Sequence, residues 1–292
     1  MALISLGALA QNSNEKKPVE IFSSTKAINS NTTELIAKGK MDFNVTHNFG
    51  DIGGKFGGIS HFFGIDNAVD VRIGFAFGIT NHLNLAFARA KGAGPQTQLY
   101  ELSAKYKFMD QRESDPSHPV AIAVFANIVA AANPARFPNL ENSYTKFSDR
   151  LSNTLQLMIA RRFGKVSIQL NPTYVTRGHT ISYDKKSLFA LGGVLRVPAG
   201  KKMNLVLDYS HTFRDQASKD SFSVRNNINF YDALGVGFEI LTAGHVFRLN
   251  FTNTSEILEN RFVPRTITAW SHGQYRWGFT ISRKFTLWRD KK

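Results

Sequence analysis

The sequence has no cysteine in its 292 residues, which removes a disulfide framework, thiolate metal sites and cysteine nucleophiles. It also lacks the roughly 18 consecutive apolar residues that a membrane helix needs. The longest candidate, residues 120–132, is interrupted by Asn127, so a helical membrane protein is excluded. The eight histidines form neither an HExxH motif nor another close ligand pair, which argues against a metal site. Gly50, Gly53, Gly54, Gly57 and Gly58 surround Lys55, but Phe56 stands where a phosphate-binding loop needs serine or threonine, so this stretch reads as a flexible loop. His-x-Ser, which would bring base and nucleophile to one strand face, is absent. Ser210-His211 and Ser271-His272 are adjacent and point to opposite faces of a strand. No catalytic residue, metal ligand or cofactor is therefore predicted; an enzyme would need a loop site that the sequence does not reveal.

Acidic residues are scarce too: 22 against 36 basic ones, a formal charge of +14. Such an excess suits a polyanionic partner, and nucleic acid is the first to test. The basic residues are scattered rather than gathered in a stripe, and no nucleic-acid-binding motif occurs, so nucleic acid is not expected. The charge can instead face lipid phosphates, line a pore or be a solvated surface.

What the chain does have is alternation. In residues 275–287, Tyr275, Trp277, Phe279, Ile281, Arg283, Phe285 and Leu287 fall on one face, and Arg276, Gly278, Thr280, Ser282, Lys284 and Thr286 on the other. A period of two marks a strand, and at about 3.3 Å per residue one of this length crosses a bilayer core when tilted. The pattern recurs at residues 41–49, 68–79, 83–91, 98–109, 120–131, 152–163, 166–175, 188–197, 203–213, 233–240 and 245–252. Both faces of 120–131 and 188–197 are largely apolar. The fold class is all-β: an antiparallel up-and-down transmembrane β-barrel of about 12 strands, an even number as in single-chain bacterial barrels. Closure is required, because an open edge would leave unpaired backbone groups in hydrocarbon.

The connections agree. Those at 80–82, 164–165, 199–202 and 241–244 are short, with 110–119 longer; those at 50–67, 132–151, 176–187, 214–232 and 253–274 are long, with 92–97 the short exception. Long loops at the outer rim and tight turns at the periplasmic rim are the barrel arrangement. A soluble barrel or sandwich would put the large apolar set inside. Here the opposite faces carry Arg72, Glu101, Lys105, Lys107, Arg162, Arg196, Asp208, Glu239, Arg248, Arg276 and Lys284, with Asp42 and Asp70. Many sit beside Gly and Ala, which suits a narrow wet lumen. Arg89, in register with Leu83, Leu85 and Phe87, is expected on the lipid side near a rim.

Residues 1–10 read as the back half of a secretory signal, with Ala8-Leu9-Ala10 as a small-residue cleavage site but without the basic n-region. Residues 11–40 are polar and rich in Ser, Thr and Asn, too weak to span anything, and read as a periplasmic arm or a plug. The barrel takes 41–288.

Ile21 to Ile52 (IFSSTKAINSNTTELIAKGKMDFNVTHNFGDI), FFGIDNA at 62–68, DRLSNTLQLMIARRF at 149–163, GHVFRLNFTNT at 244–254 and FTISRKFTL at 279–287 resemble an uncharacterised family of bacterial outer-membrane β-barrel proteins, over nearly all of the chain. The resemblance implies an outer-membrane barrel and carries no catalytic residues. The expectation is a barrel in outer-membrane lipid with both termini periplasmic and a net basic lumen passing small polar or anionic solutes. The alternative is a non-conducting scaffold presenting loops to envelope partners.

Overall fold

The computed structural model describes residues 17–136 and 139–288. The signal-like stretch at 1–10 lies outside the described residues. Twelve strands close into one antiparallel barrel: β1 (Lys40–Asp51), β2 (Ala68–Gly78), β3 (Leu83–Ala90), β4 (Leu99–Met109), β5 (Ala121–Ala131), β6 (Leu151–Phe163), β7 (Val166–Arg177), β8 (Ser187–Pro198), β9 (Met203–Phe213), β10 (Ala233–Leu241), β11 (His245–Thr252) and β12 (Arg276–Thr286). Each pairs with its sequence neighbours, and β12 returns to β1 in the register Lys40↔Thr286 to Asn48↔Gly278. Closure gives every strand two partners, which removes the edges.

The strands end at two different rims. One carries the short turns and both ends of the strand order. The other carries six loops, among them 214–232 with helix α1 (Gln216–Asn226) and 253–275 with the single turn α2 (Glu259–Phe262).

The alternation resolves with the apolar set outward. Ile73, Leu85, Phe87, Leu102, Leu155, Leu170, Phe238 and Leu249 are exposed on the outer wall, while Asp70, Arg72, Glu101, Gln156, Gln169, Asn171, Asp208 and Arg248 are buried on the inner one. This inverts the soluble arrangement, in which the same residues would form a core. Arg89 is on the outer wall, its guanidinium 5.9 Å from the Tyr100 ring. Ser210 is buried and His211 lies on the outward face, hydrogen-bonded to Asp232 at 2.9 Å.

The inside is filled from both ends. From the turn rim, residues 17–39 run up into the barrel before β1 begins. Gly39, at φ +74°, makes the reversal into β1, and a Cβ there would overlap the Trp288 carbonyl oxygen; a left-handed, crowded position admits only glycine. From the loop rim, residues 255–266 fold down, with Glu259, Asn260, Arg261 and Phe262 buried in α2. These two segments account for the doubly apolar strands. Ala121 of β5 and Val194 of β8 pack with Ile21, Phe22, Ala27 and Ile28. Val129 and Ala131 of β5 pack with Leu258 and Tyr144, and Ala190 of β8 with Phe262 and Val263.

Candidate functional site: the filled lumen

Residues 24–32 form a tight hairpin, with Ala27 N donating to the Ser30 carbonyl at 2.8 Å, Thr32 N to Thr25 at 3.1 Å, and a bridge between Lys26 and Asn31. The sequence suits it: serine, threonine and asparagine make local turn bonds that compete with strand pairing, as when Ser24 Oγ donates to the Lys26 carbonyl at 2.6 Å.

At its tip sits Asp208 of β9. One carboxylate oxygen accepts the N–H groups of Ile28, Asn29 and Ser30 at 3.1, 2.7 and 2.7 Å, and the other accepts Ser30 Oγ at 2.7 Å. Charge-assisted bonds of this kind are the strong ones, and breaking them would leave three buried N–H groups without an acceptor. The carbonyls of the segment are held by cations and amides. Lys105 Nζ donates to Thr25, Thr32 and Glu34 at 2.7, 2.9 and 3.4 Å. Arg248 donates to the Ala27 carbonyl and, at 3.1 Å, to Ser24 Oγ. Arg162 and Arg196 reach the carbonyls of Glu20 and Ile21 at 2.8 and 3.2 Å, and Ser167 Oγ reaches Ile21 at 2.6 Å. Gln169 accepts Thr33 N–H at 3.0 Å and donates to the Asn31 carbonyl at 2.7 Å. Asn84 brackets Ile36 in the same way, at 2.6 and 2.9 Å.

The remaining residues singled out in the sequence are paired on the wall or sit at a rim. Arg72 makes two bonds to Glu101 at 3.0 and 2.7 Å, with Asn127 on the other Glu101 oxygen at 2.9 Å. Lys107 pairs with Asp110 at 2.9 Å and Glu34 at 3.7 Å. Glu239 accepts Asn204 at 3.1 Å and lies 3.9 Å from Arg248 Nε. Arg276 is at the loop rim, paired with Asp51 at 2.5 Å. Lys284 is at the turn rim, exposed, opposite Asp42 in the β1–β12 register. The lumen cations thus meet either carboxylates or main-chain carbonyls of residues 20–34, and the expected surplus facing open water is taken up by that backbone.

The two inserted segments meet in the middle of the barrel. Glu259 of α2 pairs with Lys26 at 2.5 Å and accepts from Asn31 at 2.9 Å. Above that junction, Asp70 accepts Gly92 N at 2.7 Å and Ile257 N at 2.9 Å, pinning the last loop to the wall. Arg261 is clasped by Glu256 at 3.1 Å and Glu141 at 3.2 Å, and Arg265 reaches Glu141 at 3.1 Å. Burial alone would raise the Glu141 carboxyl, but Arg261 and Arg265 outweigh it and hold the group below its ordinary value. Tyr144 beside them is pushed up to about 12 by burial.

The hairpin is off-centre. It leans on β6–β11 and leaves a chamber against β12 and β1–β4, lined by Thr46, Ala76, Ala86, Ser103, Thr280 and Ser282 from the wall and by Thr25, Lys26 and Asn31 from the hairpin. The space open to water centres is about 70 Å³, room for roughly five waters at some 10–15 Å³ each. At the loop rim a wider cavity of about 540 Å³ is lined by Asp51, Phe56, Lys91, Ser255, Thr268 and Arg276. Ile257 lines the inner chamber and Ser255 the outer cavity, so a short stretch of the last loop separates them.

Reading single residues missed the neutral polar ones, Asn84, Gln156, Ser167, Gln169 and Asn171, and the loop residues Asp70 clamps. A usable signal was present, since β5 and β8 have apolar inward faces that water would not tolerate uncovered.

The model of the membrane-bound β-barrel domain DUF5777 matches residues 22–285. The chain belongs to this family. No protein of curated function matches it. Among solved structures, an outer-membrane channel from Pseudomonas putida F1 (COG4313) superposes with a TM-score of 0.51 at 11% identity, covering 87% of this chain and 98% of that one. The KdgM porin gives 0.47 at 10%, covering 84% and 99%, and outer-membrane phospholipase A from Escherichia coli gives 0.42 at 10%, covering 85% and 93%. At 11% identity the likeness to the COG4313 channel is one of fold. The DUF5777 chain is therefore a membrane-bound barrel.

Proposed function

We propose that this DUF5777 barrel is an outer-membrane channel for small polar or anionic solutes, with its termini and short turns in the periplasm, and that the conformation described above is its closed state. The observation that carries the reading is the pairing of an outer cavity with an inner chamber across one short stretch of the last loop. A barrel serving only as a scaffold has no need of open space inside it. The charge supports an anion preference. Lys105, Arg162, Arg196 and Arg248 are held by carbonyls of residues 20–34, so withdrawal of that segment turns four cations toward the lumen beside Asp208 and Glu239. Rings of Lys and Arg select anions.

The test is planar-bilayer recording of the intact chain and of one lacking residues 11–38. The intact protein should be closed or conduct weakly, and the shortened one should conduct steadily with chloride preferred over potassium. A folded, heat-modifiable shortened barrel that stays silent would instead establish the scaffold reading, which the filled lumen favours. Preference for potassium would overturn the charge assignment.

A further inference from the structure

Of the spaces and charge clusters in the molecule, the inner chamber is the one whose chemistry asks for a ligand. Lys105 and Arg248 both line it. Lys105 is buried, its partners are three carbonyl oxygens, and no carboxylate among the described residues comes within ion-pair distance. Arg248 is 5% exposed, and its Nε has no hydrogen-bond partner among the described residues, with Glu239 3.9 Å away. A buried cation without a counter-charge is costly, and an uncompensated N–H adds to the cost. The other cations on the lining are paired, Lys26 with Glu259 and Arg72 with Glu101; Asp42 accepts from the Ser282 hydroxyl at 2.5 Å and keeps its carboxylate on the lining, so an anion sits away from it, on the Lys105 side. The opposite wall supplies hydroxyls from Ser103, Thr46 and Thr280, the last two 3.1 Å apart.

We propose that the chamber is an occluded binding site for one small oxyanion of phosphate or sulfate size. The anion supplies the counter-charge that Lys105 lacks and an acceptor for Arg248 Nε, and the wall hydroxyls complete its shell. A chamber with room for roughly five waters takes such an ion with part of its water shell and is too small for a disaccharide. Because Thr25, Lys26 and Asn31 form its floor, an occupied site also holds the hairpin against the wall. The proposal rests on the channel reading for its role and adds to it where, and for what class of solute, the lumen has a site.

The intact protein, refolded in dodecyl maltoside without phosphate, is dialysed against radiolabelled inorganic phosphate. The expected result is one phosphate per chain, displaced by sulfate and not by glucose or by phosphatidic acid in the micelle. Ala86→Leu and Ser103→Val, cross-strand partners on the wall away from the hairpin, fill the chamber and should each weaken retention at least tenfold while the barrel stays heat-modifiable. No saturable binding by the intact chain would overturn the site, as would retention unchanged in both variants. Displacement by glucose would make it a polyol site, and displacement by phosphatidic acid would place the phosphate on the outer wall; either ends the proposal. Conductance of the chain lacking the hairpin is read separately, so the site and the channel can fail independently.

Discussion

The lumen wall has two halves that differ in what their side chains do. On β6, β7, β9 and β11 the inward residues include the long or branched polar side chains Gln156, Gln169, Asn171, Asp208 and Arg248, and they are occupied with the hairpin or its neighbours. On β12 and β1–β4 the inward residues include Thr280, Thr46, Ala76, Ala86 and Ser103, which are short and bound the chamber. One half substitutes for water in bonding to a buried backbone; the other sets the width of the space that remains. Lys105 and Lys107 of β4 and Asn84 of β3 are exceptions, reaching across to the hairpin carbonyls, Glu34 and Ile36. Most of the bonds that hold the hairpin therefore come from one side of the wall.

The sharpest way to break the contrast is Asp208→Ala. Three hairpin N–H groups would lose their acceptor, each costing about 1–3 kcal/mol when left buried and unmade. The expected outcome is a freed hairpin: hydrogen exchange at residues 28–30 should accelerate by several orders of magnitude, and bilayer current should rise at least tenfold. Gly235→Ala attacks the same half more gently, since a Cβ there would stand 2.8 Å from Ile28 Cγ2. A crowding cost of about 1–2 kcal/mol is expected, read as brief openings in single-channel traces and a modest gain in exchange at the hairpin.

Acid should loosen the loop that caps both halves. A carboxyl held below its ordinary value in the folded state contributes stability that is fully present above the unfolded value, about 4, and is lost as pH falls through the folded one. Glu141 is such a group, so the Arg261–Glu141–Arg265 clasp should open on acidification below about pH 4, measured as rising current or faster hydrogen exchange at residues 256–266. Glu141→Gln should loosen the clasp at neutral pH and flatten that acid response. The smallest effect is expected from Thr46→Val on the open half. The hydroxyl pair with Thr280 would be lost, about 1 kcal/mol at most, and hairpin exchange should not change; acceleration there would dissolve the distinction between the two halves.

Alternation with a period of two was enough to place all twelve strands, because lipid on one side and polar surface on the other impose opposite demands on successive residues. The ends moved by a residue or two where loops continue the ladder, as in β1, expected at 41–49 and observed at Lys40–Asp51. The rims followed from connection length, and the inward identity of Arg72, Glu101, Asp208 and Arg248 from parity along each strand. Their partners did not follow. Asp208 meets residues 28–30 and Glu259 meets Lys26 across more than 170 positions of chain, and a local pattern carries no information about which distant backbone a carboxylate will bind.

What the sequence determined by itself was a closed barrel with a greasy outside and a charged inside, since side-chain alternation is a property of each strand taken alone. Whether that inside was open or filled was decided only by the tertiary structure. A polar segment such as residues 17–39 gains its stability from being enclosed, where its N–H and C=O groups find Asp208, Gln169, Lys105 and Asn84 in place of water. Those partners exist as a set only after the barrel has closed.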